Sequence, residues 1–353
     1  MIICRTPFRI SFFGGGTDYP AWYRVHGGAV LASTIDKYCY LTCRYLPPFF
    51  EHRIRLVYRK IETCRTVEEI EHPVVRETMK YLNVERGIEL HHDGDLPARS
   101  GMGSSSAFTV GLIHALHALR GEMRTKLQLA QDAIHIEQTL LKETVGSQDQ
   151  MMAAFGGFKY VQFQQDGKIC VEPLPLAPRR LRELQAHLML FYTGIARTAS
   201  DVAQSYATDL DAHARRLKLM RGHVEEGIDI LMSGLDIRSF GELLDEAWQI
   251  KRGLSDQVSN PAVDALYQKA REAGAVGGKL TGAGGGGFML LFVPPEKQPA
   301  VAAALRRQIH VPFAFESAGS QIIFYEPGVD YREAEEARTR RSAAAPQTLA
   351  AAV

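Results

Sequence analysis

The sequence predicts an α+β protein of two domains, on three observations. Strand-like and helix-like segments mix without the steady alternation of a doubly wound sheet. At 353 residues the chain is longer than one hydrophobic core usually organises. A Pro- and Arg-rich stretch, PLPLAPRRLRE at 173–183, interrupts it near the middle. The domains are therefore placed at 1–180 and 181–337, followed by a compositionally biased tail, 338–353.

The first domain opens with strands. VLASTIDKYCYLTCRYL is rich in β-branched and aromatic residues, PPFFEH interrupts, and RIRLVYRK alternates like a half-buried strand. GIELHHDGDLP reads as a strand ending at Pro97. A run of small residues, GMGSSSAF, follows. Phe108, Leu112, Leu116 and Leu119 then recur at helical spacing and predict a helix over 106–119. Thr125 and Gln128 have the spacing of a capping box, and Leu127, Ala130, Ile134 and Leu141 mark one face of the helix after it. TVGSQDQ breaks that helix, and GGFKYVQF begins another strand. The second domain opens with the strand LMLFYTG. Helices follow over about 200–233 and 240–253. GAVGGKLTGAGGGGFMLLFV reads as strand, glycine loop, strand. A short helix, AVAAALRRQI, and a strand, QIIFYE, close the domain.

A formal net charge of +1 gives no reason to expect nucleic acid or an anionic membrane as partner. The five cysteines are odd in number and form no CxxC pair, which predicts reduced thiols in a cytoplasmic protein. Arg5 and Arg9 inside the apolar N-terminus argue against a signal peptide. No apolar run approaches the roughly 18–20 residues of a membrane span.

A helix N-terminus carries unsatisfied N–H groups and partial positive charge, so GMGSSSAF could cradle a phosphate. A glycine-serine turn that only caps a helix is the equal alternative. GGKL fails the Walker pattern, because Leu280 follows Lys279 and Ala273 stands at the first glycine position. GAGGGG at 282–287 fits GxGxxG, but a strand follows it where a dinucleotide site needs a helix. Glu137 and Asp149 are acids near one another in sequence, and RTPFRISFFGGGTDYP supplies Arg9, Asp18 and three successive glycines. Taken singly, each is also consistent with a solvated turn or a charged strand edge. HHDGD (His91, His92, Asp93, Asp95) suggests a metal site only weakly, since alternate residues of a strand point to opposite faces.

Three segments in order resemble the GHMP kinases: PFRISFFGGGTDY, LPARSGMGSSSAF and KLTGAGGGGF. GSQDQ is similar to the region that carries the family's catalytic aspartate. The resemblance implies an N-terminal α/β domain with a left-handed βαβ crossover, a ferredoxin-like C-terminal domain, and an active site between them. It implies ATP and Mg²⁺ as cofactors. Gly101, Gly103, Ser104, Ser105 and Ser106 would wrap the ATP phosphates, with Ser105 reaching Mg²⁺ beside Glu137, twelve residues before Asp149. Asp149 would be the base for the acceptor hydroxyl. Arg9 would make that hydroxyl more acidic and keep Asp149 charged. Asp18, with Gly15, Gly16 and Thr17, would bind the sugar. Gly282, Gly284 and Gly285 would close on the reacting phosphate from the second domain.

Galactokinases have an acidic residue and a histidine before the Thr-Asp-Tyr of the first motif, where this chain has Gly15 and Gly16. The sequence looks most like the branch acting on D-glycero-D-manno-heptose 7-phosphate, which phosphorylates O1. Another sugar-1-kinase (fucose, galactose or a related sugar) and a non-catalytic ATP- and sugar-binding sensor are the alternatives. Retention of Arg9, Glu137 and Asp149 speaks against the sensor. A 7-phosphate needs a cationic subsite, for which Arg24, Arg44, Arg99 and Arg197 are near enough in sequence, Arg197 in TGIARTASD being the choice. The expected partners are a small-molecule sugar phosphate and, as a candidate assembly, a second copy in a homodimer.

Overall fold

The computed structural model describes residues 1–98, 100–195, 199–207 and 210–328, with 331, 333–334, 336–337 and 340 beyond them. Thirteen strands and eleven α-helices are found among these. The first sheet holds β1 (Ile2–Phe13), β2 (Gly28–Tyr45), β3 (Ile54–Val57), β4 (Ile61–Cys64), β5 (Ile88–Gly94), β6 (Phe158–Phe163) and β7 (Ile169–Pro173). The second holds β8 (Leu188–Tyr192), β9 (Gly277–Leu280), β10 (Phe288–Phe292) and β11 (Ile309–His310). The last two, β12 (Phe315–Glu316) and β13 (Gln321–Tyr325), return to the first sheet.

The helices are α1 (Pro20–His26), α2 (Pro73–Tyr81), α3 (Ser104–Leu119), α4 (Lys126–Ile134), α5 (Gln148–Phe155) and α6 (Pro178–Ala186). They continue with α7 (Ala199–Ala207), α8 (Ala214–Met232), α9 (Arg238–Arg252), α10 (Pro261–Glu272) and α11 (Gln298–Ala304). Among the described residues, no helix is long and apolar enough to cross a membrane. All five cysteines are free thiols.

The long strands β1 and β2 organise the first sheet. β2 pairs with β1 along one edge, and its other edge is shared by β6, β12 and β5 in turn. In β1 the register shifts between Pro7 and Arg9 and again between Ser11 and Phe13. Pro7 has no N–H to give the ladder, and a bulge next to it re-aims the following side chain. The Arg9 amide is thereby released from the ladder and donates to the Met102 carbonyl (3.1 Å) in the loop before α3.

The second sheet is antiparallel in the order β11-β8-β10-β9. The expectation that QIIFYE closes the second domain is corrected here, because β13 pairs with β1. Its register sets Tyr325 opposite Ile2, so the chain ends its last strand beside its first. Both halves share one apolar cluster in which Phe12 and Phe13 meet Phe240 edge-on, at 5.5 and 5.1 Å between ring centres. Gly227 of α8 lies so close to Phe13 that a β-carbon there would stand 2.7 Å from the ring.

Two helix expectations change. The segment predicted as one helix over 200–233 is α7 and α8, with a 3₁₀ turn at Asp211–His213 before α8. In α4, Leu127 is 42 % exposed, and Leu129, Ala130 and Ala133 form the buried face. α4 runs into a π-helical stretch, His135–Leu140, whose wider turn shifts the periodicity and buries Ile136 and Glu137.

Lys279 of β9 ties the two halves together. Its ammonium is buried and donates to the carbonyls of Ser11 (3.0 Å) and Phe12 (2.7 Å), at the second register shift of β1. Burial, with Lys251 and Arg9 as neighbouring charges, lowers its basicity well below the usual lysine value. Replacing Lys279 with Ala leaves both carbonyls unpaired, and the expected loss is about 2–4 kcal/mol of unfolding free energy. Urea denaturation of the two proteins side by side measures it.

Candidate functional site

Arg9 stands at the centre of the site, nearly buried. Its guanidinium donates to both carboxylate oxygens of Asp149 (Nε–Oδ1 2.7 Å, Nη2–Oδ2 2.8 Å), and Nη1 donates to the Gly101 carbonyl (2.7 Å). Asp149 occupies the first turn of α5, where the helix dipole favours a negative charge. Its side chain remains 24 % exposed, against 5 % for Arg9, so one side of the carboxylate is open to an acceptor. Gly103 (φ +72°) packs on this pair, and a β-carbon there would lie 3.2 Å from Arg9 Cγ and 3.4 Å from Asp149 Oδ2. Gly103 is the N-cap of α3 and brings no side chain to its first amides.

The glycine-rich loops meet each other. A β-carbon at Gly101 (φ +80°) would stand 2.5 Å from the Thr281 carbonyl oxygen, and one at Gly282 would stand 2.6 Å from Gly101 Cα. These glycines therefore let one loop backbone lie against the other at the seam between the sheets. Gly284 and Gly285 turn elsewhere: both approach Val258, and the Gly285 amide donates to the Val258 carbonyl (2.8 Å).

Glu137 is fully buried and accepts hydrogen bonds at Oε2 from Ser106 Oγ (2.9 Å) and from the Gln150 side-chain amide. Its other oxygen, Oε1, is buried without a partner among the described residues. Burial raises its carboxyl to about 7, against the hydrogen bonds from Ser106 and Gln150, which favour the charged form. Ser105, expected to reach Mg²⁺ beside Glu137, is exposed, and Ser106 is the serine that donates to Glu137. An orphaned carboxylate oxygen beside a serine hydroxyl is a hard-oxygen donor set that suits Mg²⁺, which takes few protein ligands and completes its shell with water and phosphate. Among the described residues no group of three or more His, Cys, Asp and Glu could hold a metal on its own. HHDGD forms no such site: His91 approaches Glu89 (3.2 Å) and His92 packs edge-on against Phe108.

The GGGTD loop lies against the start of α5. Asp18 is buried and accepts from the amides of Gly16 (2.8 Å) and Gln148 (3.4 Å). Burial, with the Asp149 charge adding to it, raises its carboxyl. Gly146 leaves room for Asp18, since a β-carbon there would overlap Oδ2. Gly15 lies beside Ser11 and Gln148. Thr17 is withdrawn from the role expected of it. Its buried hydroxyl lies within hydrogen-bond distance of the carbonyls of Gly14 and Ala29 (2.8 and 2.9 Å), which share its one proton, and accepts from the Ala29 amide, so it shapes the loop. Tyr19 and Tyr206 are hydrogen-bonded to each other beside Asp18.

Of the candidate arginines, Arg44 is paired with Glu89 and Arg24 is exposed on α1, while Arg99 and Arg197 lie outside the described residues. The sequence reading missed Lys251, Lys279, Gln150 and Tyr206. The signal for Lys251 was available: it continues the apolar stripe Leu244, Ala247, Trp248 at helical spacing, where a lysine is out of place.

The family model for the GHMP kinases N terminal domain matches residues 66–157, and that for the GHMP kinases C terminal region matches 231–311. The chain is 30 % identical to the D-glycero-alpha-D-manno-heptose 7-phosphate kinase of Campylobacter jejuni, over 86 % of this chain and 93 % of that one. A crystal structure of a D-glycero-D-manno-heptose 1-phosphate kinase from Bacteriodes thetaiotaomicron has a TM-score of 0.75 at 24 % identity, covering 91 % of this chain and 98 % of its own. Lactococcus lactis galactokinase complexed with galactose has a TM-score of 0.71 at 19 % identity, covering 91 % and 95 %.

A pH test isolates Glu137. Its folded-state carboxyl lies above the ordinary 4.5, so the protonated form contributes stability below that value, and the contribution is lost as pH rises through about 7. Without divalent cation, the urea midpoint is expected to fall across this window, and Glu137→Gln to flatten the fall. Midpoints for both proteins at about pH 5 and about pH 8 check it.

Proposed function

The chain belongs to the GHMP kinase family and is an ATP-dependent sugar kinase, and we propose that its acceptor is D-glycero-D-manno-heptose 7-phosphate. The product is the 1,7-bisphosphate, made by transfer to the anomeric O1 on the way to nucleotide-activated heptose for bacterial surface glycans. The observation that carries the reaction is the Arg9–Asp149 pair set against Gly103 at the mouth of α3. The choice of heptose is supported by the likeness to the Campylobacter enzyme along almost its whole length.

The residues divide the work. The start of α3 and the Gly101–Gly103 loop receive the ATP phosphates on backbone amides and serine hydroxyls, where the helix dipole favours anions. Ser106 and Glu137 would hold Mg²⁺, which would neutralise charge on the phosphate oxygens. Asp18 orients the sugar through its hydroxyls. Asp149 takes the proton from O1, with both its oxygens fixed by Arg9. An anomeric hydroxyl is more acidic than other sugar hydroxyls, so a carboxylate suffices as base. In a loose transition state the proton leaves late, and positioning supplies most of the acceleration. Arg9 also places positive charge beside the developing oxyanion. A cytoplasmic location and a homodimer complete the proposal.

The names of the two heptose relatives put the existing phosphate at different positions, C7 and C1. Phosphorus NMR of the product after turnover with heptose 7-phosphate locates the new phosphate, and O1 is expected. Asp149→Asn is expected to lower kcat about 10²–10⁴-fold with ATP affinity nearly unchanged; unaltered turnover would remove Asp149 as base. Ser106→Ala is expected to raise the Mg²⁺ needed for half-maximal rate about tenfold or more, and Ser105→Ala to leave it unchanged, in a magnesium titration of initial rates.

A further inference from the structure

Lys251 is a buried cation with no carboxylate in ion-pair contact among the described residues. Alone among the charged residues of α9 it is fully buried, at 4 % exposure, while Arg238, Glu242 and Glu246 lie on the outer face. Among the described residues it forms no ion pair, and the Gly282 carbonyl is the one hydrogen-bond acceptor of an ammonium that has three donors. Gly282 in turn lies against Gly101, whose carbonyl is held by Arg9. Its charge is felt together with those of Arg9, Asp18 and Asp149, so it stands at the reaction centre.

Lys279, its neighbour in charge, is in a different position. Two β1 carbonyls occupy the Lys279 ammonium, which serves to join the domains. Lys251 spends one donor on the glycine loop and has two for another acceptor. Burial lowers its basicity to about 8, with Arg9 adding to the effect and the two aspartates opposing it, so much of it stays charged near neutral pH. A buried, unpaired ammonium is costly, and an anion arriving beside it removes the cost.

We propose that Lys251 is a phosphate-binding residue of the transfer site, supplied by the second domain across the glycine loops. This rests on the phosphoryl-transfer reading above. The phosphate is either the γ-phosphoryl group of ATP or the phosphate already on the acceptor. Both present the same anionic oxygens to the ammonium.

The full-length Lys251→Met, Lys251→Gln and Lys251→Arg variants test it. Gln keeps a donor for Gly282 and loses the charge, and Arg keeps the charge. Calorimetry with ADP and with a non-hydrolysable ATP analogue forms one arm, and unchanged ADP affinity there shows that a variant is folded. Acceptor KM on the phosphorylated and unphosphorylated sugar forms the other. If the γ-phosphoryl group is the ligand, Met and Gln weaken the ATP analogue about 10- to 100-fold relative to ADP, and Arg restores much of it. If the acceptor phosphate is the ligand, the nucleotide ratio holds, KM for the sugar phosphate rises by a similar factor, and the preference for the phosphorylated sugar disappears. Met and Gln variants within threefold of wild type in both arms overturn the proposal. A wild-type enzyme inactive on heptose 7-phosphate sinks the acceptor assignment alone. The nucleotide arm still reads Lys251, and the acceptor arm is then run on the sugar phosphate the enzyme does turn over.

Discussion

The ion pair between Arg9 and Asp149 is the constraint around which this molecule is arranged. Its partners come from β1 and from the first turn of α5, 140 residues apart. The third group on the guanidinium is the carbonyl of Gly101, in the loop before α3. A buried pair of this kind contributes little net stability, because desolvation offsets most of the attraction. Its value is geometric. Two parallel hydrogen bonds fix the plane of the carboxylate, and the bulge after Pro7 aims the arginine while freeing its amide to hold Met102. The loop before α3 and the Asp149 carboxylate are therefore positioned by one residue.

The second domain reaches this pair through backbone. Gly282 lies on Gly101, and a β-carbon at Gly287 would stand 2.2 Å from the Ser100 carbonyl oxygen, so the two glycine-rich segments form one seam. That arrangement needs glycine on both sides, because a side chain on either would push the loops apart. Lys279 fixes the same seam from behind by capping the carbonyls of Ser11 and Phe12. The distance between the domains is thus set by short contacts next to Arg9, and the apolar packing of Phe12 and Phe13 on Phe240 lies directly under them.

Much of this was legible in the sequence, for reasons that differ by residue. The helix after GMGSSSAF was readable because Phe108, Leu112 and Leu116 keep strict helical spacing, and all are buried. Arg9 and Asp149 could be named because each sits in a recognisable motif, but composition and spacing alone could not bring them together. Pairings across the fold were illegible. Nothing local to QIIFYE says that it lies beside β1, since a short apolar strand fits either sheet. The buried face of α4 was misread at Leu127 because a π-helical turn follows, and a period of 3.6 carried through it points to the wrong residues. Ser106, and not Ser105, meets Glu137 because the rotation of α3 decides which serine faces inward, and a run of three serines does not show that rotation.

The polar atoms left without partners show what this arrangement costs. Ser11 Oγ, Ser100 Oγ, Glu137 Oε1, Gln148 Oε1 and Gln150 Oε1 are all buried and unpaired, and all belong to the segments that frame the Arg9–Asp149 pair. Each such group destabilises a folded chain by roughly 1–3 kcal/mol. A protein selected for stability alone would fill these positions with apolar side chains. Those polar groups that lie beside this ion pair sit in a framework fixed before any ligand arrives, which lowers the reorganisation that a reaction there requires. The raised carboxyls of Asp18 and Glu137 and the lowered ammonium of Lys251 follow from the same burial. In each the charged form is disfavoured by burial, so together these residues make a poor apolar core.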